Sequence, residues 1–173
     1  DAIDAKSQAL EAAAHKLADI APLLDRLIEK YTKTKGRLDY HRSVDGVSVM
    51  ADAERLSAVI AHILDNAFEA TDEQGVVCVK LSTNGPRGLI EIADNGHGMT
   101  AKFIRDELFR PFRSTKKGGY GIGAYESREF VKEIGGTLHI KSEVGKGTTV
   151  RISLPLVGIR PDGAEVRELL STP

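Results

Sequence analysis

The chain has 173 residues, which suits one domain with a single hydrophobic core. Hydrophobic residues make up 41% and charged residues 28% of the chain, and 24 basic residues nearly balance 25 acidic ones. This composition is ordinary for a soluble globular domain and argues against bulk electrostatic binding to nucleic acid or membrane. No apolar run approaches the ~20 residues that span a bilayer. The single cysteine, Cys78, fits a reducing compartment.

The first part of the chain predicts helices followed by two short strands. Apolar residues recur at helical spacing over 3–31, and Pro22 interrupts them. This pattern predicts two helical pieces, the second beginning near the proline, because proline is tolerated in a first helical turn. Alternating apolar residues then predict strands at about 38–44 and 47–49, with an Asp-Gly pair between them.

One amphipathic helix is predicted over about 53–71, with Asp52 as its N-cap. Its apolar residues fall on one face: Leu56, Val59, Ile60, Ile63, Leu64 and Ala67. At about 100° per residue, His62, Asn66 and Glu69 fall within an arc of roughly 60° that we expect to face away from the core. The polar face of most amphipathic helices only contacts solvent, so these three residues do not indicate a function by themselves.

The rest of the chain predicts two hairpins with a long loop over 96–121 and a helix between them. The first hairpin joins strands at about 76–82 and 89–94. A helix over about 122–134 precedes a second hairpin that pairs 137–143 with 148–154. Hairpin-linked strands separated by helices argue against a doubly wound parallel sheet. They favour a two-layer sandwich, a mixed sheet with helices on one face.

Several of these residues suit successive parts of a nucleotide. Asp94 ends an apolar strand, where its carboxylate can accept a hydrogen bond from the adenine amino group. Gly96 and Gly98 let the backbone approach the base closely. Asn66 offers a hard amide oxygen to Mg²⁺. Glycines that open a helix direct backbone N–H groups at phosphate oxygens, and those glycines are Gly119, Gly121 and Gly123.

Each of these signals is weak by itself, because glycine triplets and Asp-x-Gly-x-Gly patterns are common in turns and loops. Their joint order along the chain is the stronger observation. The two common rival nucleotide motifs do not fit. The sequence contains no G-x-x-x-x-G-K-[ST] pattern, and the glycines of 119–123 follow a basic loop instead of a strand.

From about Asp52 to Leu156 the sequence resembles the ATP-binding catalytic domain of sensor histidine kinases. HILDNAFEAT resembles the N box, DNGHGM the G1 box, LFRPF the F box, GYGIG the G2 box and GKGTTVRISLPL the closing hairpin. The resemblance implies the Bergerat (GHKL) fold, an α+β two-layer α/β sandwich with a mixed, mostly antiparallel sheet and helices on one face. It also implies ATP and Mg²⁺ as cofactors, with Asn66 as the Mg²⁺ ligand and Asp94 as the adenine-binding residue.

The resemblance extends to a lid over the nucleotide and to the edge of the base. Phe109 and Phe112 would anchor the lid, and Thr148 or Thr149 would lie near the base. Basic residues cluster in the lid, where positive charge would stabilise the transferred phosphoryl group. Among them we favour Lys116 as the phosphate contact.

His62 and Glu69 depart from the family pattern, in which many members carry Asn and a basic residue at these positions. The His62 imidazole either acts in catalysis, by contacting a Mg²⁺-bound water or orienting the nucleophile, or packs at the pocket edge. The Glu69 carboxylate would repel phosphates unless a cation intervenes, so we expect a supporting structural role for it.

The predicted activity is transfer of the ATP γ-phosphoryl group to a histidine on a dimerisation domain. Alternatives are a GHKL-type ATPase, which would carry Glu where His62 stands, an anti-sigma-type serine kinase, and an interaction domain that binds no nucleotide. The stretch FIRDELFRPFRSTKKGGYGIGAYESREFVKEIGG further resembles PrsK-type kinases of exosortase/PEP-CTERM systems.

The expected organisation is a helical lead-in over 1–17 that includes the end of a dimerisation helix, a catalytic domain over 18–156 and a polar tail over 157–173. None of the 5 histidines has the setting of a phosphoacceptor. We therefore expect this monomeric fragment to bind Mg·ATP without autophosphorylating. The parent is expected to be a membrane-associated homodimer with this portion in the cytoplasm, a response regulator downstream and no nucleic-acid partner.

Overall fold

The structure is a computed structural model that describes residues 2–5, 7–8, 16–111 and 122–157. The strands are β1 Leu17–Asp19, β2 Leu38–Arg42, β3 Ser48–Met50, β4 Val77–Asn84, β5 Arg87–Asp94, β6 Thr137–Glu143 and β7 Gly147–Pro155. The helices are α1 Ile20–Lys35, α2 Ala53–Ala70, α3 Ala101–Phe103, which continues as a π-helical turn Ile104–Leu108, and α4 Ala124–Glu133. No helix in the described part of the chain combines the length and hydropathy needed to cross a membrane.

Five strands form one sheet in the order β2-β4-β5-β7-β6, in which β2 runs parallel to β4 and the other neighbours are antiparallel. Alternate residues of its central strands are buried on one face, against the helices. These residues are Val77, Val79, Leu81, Ile90, Ile92, Ile152 and Leu154. The predicted two-layer sandwich, with a mixed sheet and helices on one face, is confirmed.

The N-terminal region differs from the prediction of two helical pieces over 3–31 by a short strand that precedes the second piece. Strand β1 precedes α1 and pairs with β3 in a separate two-stranded sheet, so that Leu17 lies opposite Met50. Helix α1 begins at Ile20, which places Pro22 in its first turn as expected. A three-residue strand carries too little alternation to be recognised from sequence, because its hydrogen bonds come from a distant segment.

The loop prediction for 96–121 is wrong where the structure shows helix α3 and its π-helical turn. The Thr100 side chain caps this helix, since its Oγ1 accepts a hydrogen bond from the Phe103 N–H at 3.0 Å. Neither segment exceeds five residues, so each is too short for a sequence pattern to repeat over several turns.

Helix α2 forms as predicted. The Asp52 carboxylate accepts hydrogen bonds from the N–H groups of Glu54 and Arg55 at 3.0 and 3.1 Å, and all six apolar residues of the predicted face are buried. Helix α1 holds α2 through Tyr31, whose hydroxyl lies 2.7 Å from Oδ1 of Asp65. Burial raises the pKa of Tyr31, and the Asp65 carboxylate raises it further. These contacts fix α2 over the sheet.

Candidate nucleotide-binding site

A cavity of about 390 Å³ lies between α2, α4 and the helix-facing side of the sheet. Apolar side chains form most of its wall: Ile63, Ala67, Ile92, Leu138, Ile140 and Val150. Polar side chains line the remainder: His62, Asn66, Glu69, Asp94, His97, Ser127 and Thr148. Mostly apolar walls with a few placed polar groups are typical of small-molecule sites.

The alternation of β5 places the Asp94 carboxylate in this cavity. Ile90 and Ile92 are buried on the helix side of the sheet, and Asp94 takes the next position on the same face. Its Oδ1 accepts a hydrogen bond from the Gly96 N–H at 2.8 Å. Burial raises the pKa of Asp94 from its ordinary value, while the backbone N–H groups of Gly96 and Thr148 oppose the rise. The half-buried carboxyl group of Asp94 therefore forms part of the cavity wall.

His62, Asn66 and Glu69 of α2 line the cavity, contrary to the expectation that they face away from the core. They lie beside the buried stripe of α2 and not opposite it, so they border the apolar wall. The Nδ2 atom of Asn66 lies 3.1 Å from Nε2 of His62. Because an amide nitrogen only donates, this contact makes His62 Nε2 the acceptor.

Gly96 and Gly98 lie outside the cavity lining and serve the packing of the main chain. A Cβ at Gly96 would overlap the carbonyl of Ala70, at the end of α2, and a Cβ at Gly98 would overlap the carbonyl of Glu143. The His97 N–H donates to the Ala70 carbonyl at 3.0 Å. These glycines therefore hold the turn after Asp94 against α2 and the β6–β7 hairpin.

The structure separates the two candidate threonines. Thr148 pairs with Asp94 and lines the cavity, whereas Thr149 pairs with Ala93 and faces the other side of the sheet. The Thr148 hydroxyl lies 2.7 Å from the Ser142 hydroxyl. Thr148 is therefore the residue near the cavity, and Thr149 is not.

Phe109, one of the two predicted lid anchors, also lines the cavity. The Arg128 guanidinium carbon lies 4.0 Å from the centroid of the Phe109 ring. Gly123 differs from the prediction, because its N–H donates to Oε2 of Glu126 at 2.9 Å and so does not point at a phosphate position. The remaining candidates lie outside the described residues: Phe112, Lys116, Gly119 and Gly121.

Two cavity residues were not identified as site residues from the sequence. Ser127 lies three residues after Ala124, so helical periodicity could have placed it on the inner face of α4. His97 lies between the two glycines of the G1 box, and it lines the cavity with its Nδ1 2.8 Å from the Gly98 carbonyl. Because a carbonyl only accepts, His97 Nδ1 carries the proton.

A family model described as "Histidine kinase-, DNA gyrase B-, and HSP90-like ATPase" matches residues 51–158. Sporulation kinase C of Bacillus subtilis (strain 168) is 30% identical over 154 residues, which covers 88% of this chain and 36% of the kinase. The mycobacterial sensor histidine kinase MprB aligns with a TM-score of 0.68 at 24% identity, covering 82% of this chain and 97% of that chain. Full-length ShkA, in complex with AMPPNP, aligns with a TM-score of 0.66 at 25% identity, covering 86% of this chain and 32% of ShkA.

The chain belongs to the family of histidine kinase-, DNA gyrase B- and HSP90-like ATPases. Within that family its relatives are sensor histidine kinases, and the chain is an ATP-binding catalytic domain of this class. The sequence predictions of the fold and of this domain type are confirmed. The chain spans 36% of the length of sporulation kinase C. The comparisons therefore define the class of this domain and not the activity of the whole protein.

Gly147→Ala tests how Asp94 is held. Gly147 has φ +119°, and an added Cβ would overlap the backbone carbonyl of Asp94. We expect a loss of roughly 2–4 kcal/mol in the free energy of unfolding from backbone strain and steric overlap, together with weaker nucleotide binding. Urea unfolding and calorimetry would measure both.

Gly145→Ala is the matched control in the same hairpin. Gly145 has φ +80°, but nothing lies within 4 Å of an added Cβ. This variant should lose only about 1 kcal/mol of stability and should keep its nucleotide affinity. Equal effects of the two substitutions on nucleotide affinity would contradict a role of Gly147 in placing Asp94.

Proposed function

We propose that this domain transfers the γ-phosphoryl group of ATP to a histidine side chain on the dimerisation domain of a parent sensor kinase. One observation carries the proposal: a single apolar cavity has a carboxyl group, Asp94, at one end and a hydrogen-bonded amide and imidazole, Asn66 and His62, along its α2 wall. Such a cavity offers separate places for a base and for a phosphate-bound cation.

The Asp94 end is proposed to bind adenine. A carboxylate accepts the hydrogen bond of an exocyclic amino group, and the apolar walls formed by Ile92 and Val150 suit the faces of the ring. The neighbouring Thr148 hydroxyl supplies a second polar atom near the base. The AMPPNP complex of ShkA, a protein of the same fold, supports an ATP-type ligand for this cavity.

The Asn66 wall is proposed to hold Mg²⁺. The donor set fits a hard cation that takes few protein ligands, because the contact from Nδ2 to His62 directs Oδ1 of Asn66 away from the imidazole. When bound, Mg²⁺ would neutralise charge on the phosphates. By sequence, Gly119, Gly121 and Lys116 are proposed to contact the phosphates.

His62 is proposed to orient the Asn66 amide and to contribute to catalysis through it. A hydrolytic member of the family would carry Glu at this position as a general base, whereas His62 Nε2 is engaged by Asn66. Sensor histidine kinases are among the relatives of this chain, and the ATPase and serine-kinase alternatives are not favoured. Rapid steady-state hydrolysis of ATP by this chain would favour the ATPase alternative over the kinase.

In the proposed reaction, a ring nitrogen of the acceptor histidine attacks the γ-phosphorus. The bond from that phosphorus to the β–γ bridging oxygen breaks, ADP leaves, and the ring loses its proton to solvent or a nearby base as the N–P bond forms. The domain contributes by holding the base and the phosphates in line with the acceptor. Such positioning needs no covalent intermediate on this chain.

The finer assignments rest on the sequence. The F-box and G2-box region supports a PrsK-type kinase with a response regulator partner. We further propose a homodimeric, membrane-associated parent with this domain in the cytoplasm. The catalytic domain is proposed to span 18–156, with 1–17 leading from the dimerisation helix and 157–173 as a tail.

Asp94→Ala tests the base assignment. Calorimetry with Mg·ATP should show measurable binding by the wild-type chain and none by the variant, because the substitution removes the acceptor for the adenine amino group. Asp39→Ala is the matched control, since Asp39 is exposed on β2 and lies outside the cavity. Equal binding heats for the wild type and Asp94→Ala would defeat the assignment of Asp94.

Incubation with γ-labelled ATP tests the phosphoryl transfer. The chain alone should acquire no acid-labile label, because none of its histidines has the setting of an acceptor. Addition of the parent's dimerisation domain should place the label on that domain, and Asp94→Ala should abolish it. A labelled chain without the added domain would contradict the proposed division of roles.

A further inference from the structure

Ser127 carries a buried hydroxyl group that no protein atom satisfies. The residue is 1% exposed, and its Oγ has no hydrogen-bond partner. Buried side-chain hydroxyl groups are paired in the large majority of cases, because an unpaired one destabilises the folded chain. In the part of the chain that the structure describes, the only other such buried side-chain atom is Nε of the adjacent Arg128.

The ordinary partner of a serine in a helix is not used here. A helical serine can donate to the carbonyl four residues earlier, which for Ser127 is the carbonyl of Gly123. That carbonyl accepts the backbone N–H of Ser127 at 3.0 Å, and the hydroxyl makes no bond to it. The orientation of the hydroxyl is therefore not explained by the helix itself.

Ser127 lines the cavity assigned above to the nucleotide, on the α4 wall beside Ala124. The other polar side chains that line the cavity all have a partner within the chain, such as Gly96 for Asp94 and Ser142 for Thr148. Among the described residues that line the cavity, Ser127 is thus the polar side chain that remains to be satisfied by a ligand.

We propose that Ser127 is a nucleotide-binding residue whose hydroxyl group hydrogen-bonds the nucleoside part of the bound nucleotide, directly or through one trapped water. This inference rests on the proposed function of the cavity. The nucleoside is preferred over the phosphates for two reasons. Ser127 lies about 6 Å along the helix axis from Gly123, the last of the G2 glycines, and the cavity that it lines also has apolar lining residues, among them Leu108, Phe109 and Leu138.

The test is calorimetry of the whole chain with ADP, with Mg²⁺ and with a chelator, on the wild type and on Ser127→Ala. Loss of one neutral hydrogen bond should weaken ADP binding roughly three- to tenfold. The factor should be the same with and without Mg²⁺, since the contact does not involve the cation. Urea unfolding without nucleotide should show stability equal to or above that of the wild type, because an unpaired buried hydroxyl is removed.

Ser57→Ala is the control, because it makes the same chemical change on α2 outside the cavity. It should leave ADP affinity unchanged. An affinity of Ser127→Ala within twofold of the wild type would overturn the inference, as would a loss of affinity accompanied by reduced stability of the free chain. A wild-type chain that binds no ADP would contradict the proposed function itself.

Discussion

The site depends on the pairing of β5 with two neighbours in a fixed antiparallel register. The pairing of Val77 and Thr148 with Asp94 leaves the carboxyl group on the face that the helices cover. A slip of one residue would turn Asp94 to the opposite face and bring Ala93 into the cavity. The close passage of Gly147 past the Asp94 carbonyl fixes the hairpin at this point. The position of the Asp94 carboxyl group in the cavity is thus a consequence of strand register.

Local patterns were sufficient for most of the fold. Helix α2 was predicted with its cap and its buried face, because eighteen residues provide several full helical periods. Both hairpins were predicted from alternation and turn residues. Strand β1 and the π-helical turn were not, since the first depends on hydrogen bonds from β3 and neither is long enough to repeat its pattern.

The site was predicted less completely than the fold. Sequence motifs predicted that Asn66 and Asp94 belong to one site, and both residues line the same cavity. The motifs did not distinguish Thr148 from Thr149, which only the strand register separates. The close approach of the Ala70 and Glu143 carbonyls to the two glycines after Asp94 could not be predicted, because these carbonyls belong to distant segments. The identification of Ser127 depends on two observations: its position on the inner face of α4 and the absence of a hydrogen-bond partner for its hydroxyl group. Only the three-dimensional structure shows the second.

The central claim is that the Asp94 carboxylate binds the base while the Asn66 amide faces the phosphates. A crystal structure of the domain with AMPPNP and Mg²⁺ tests it most directly. The account predicts the adenine amino nitrogen at about 3 Å from an Asp94 carboxylate oxygen, with the phosphates on the Asn66 side of the cavity. Adenine bound elsewhere, for instance in the groove between α1 and α2, or with its base remote from Asp94, would contradict it.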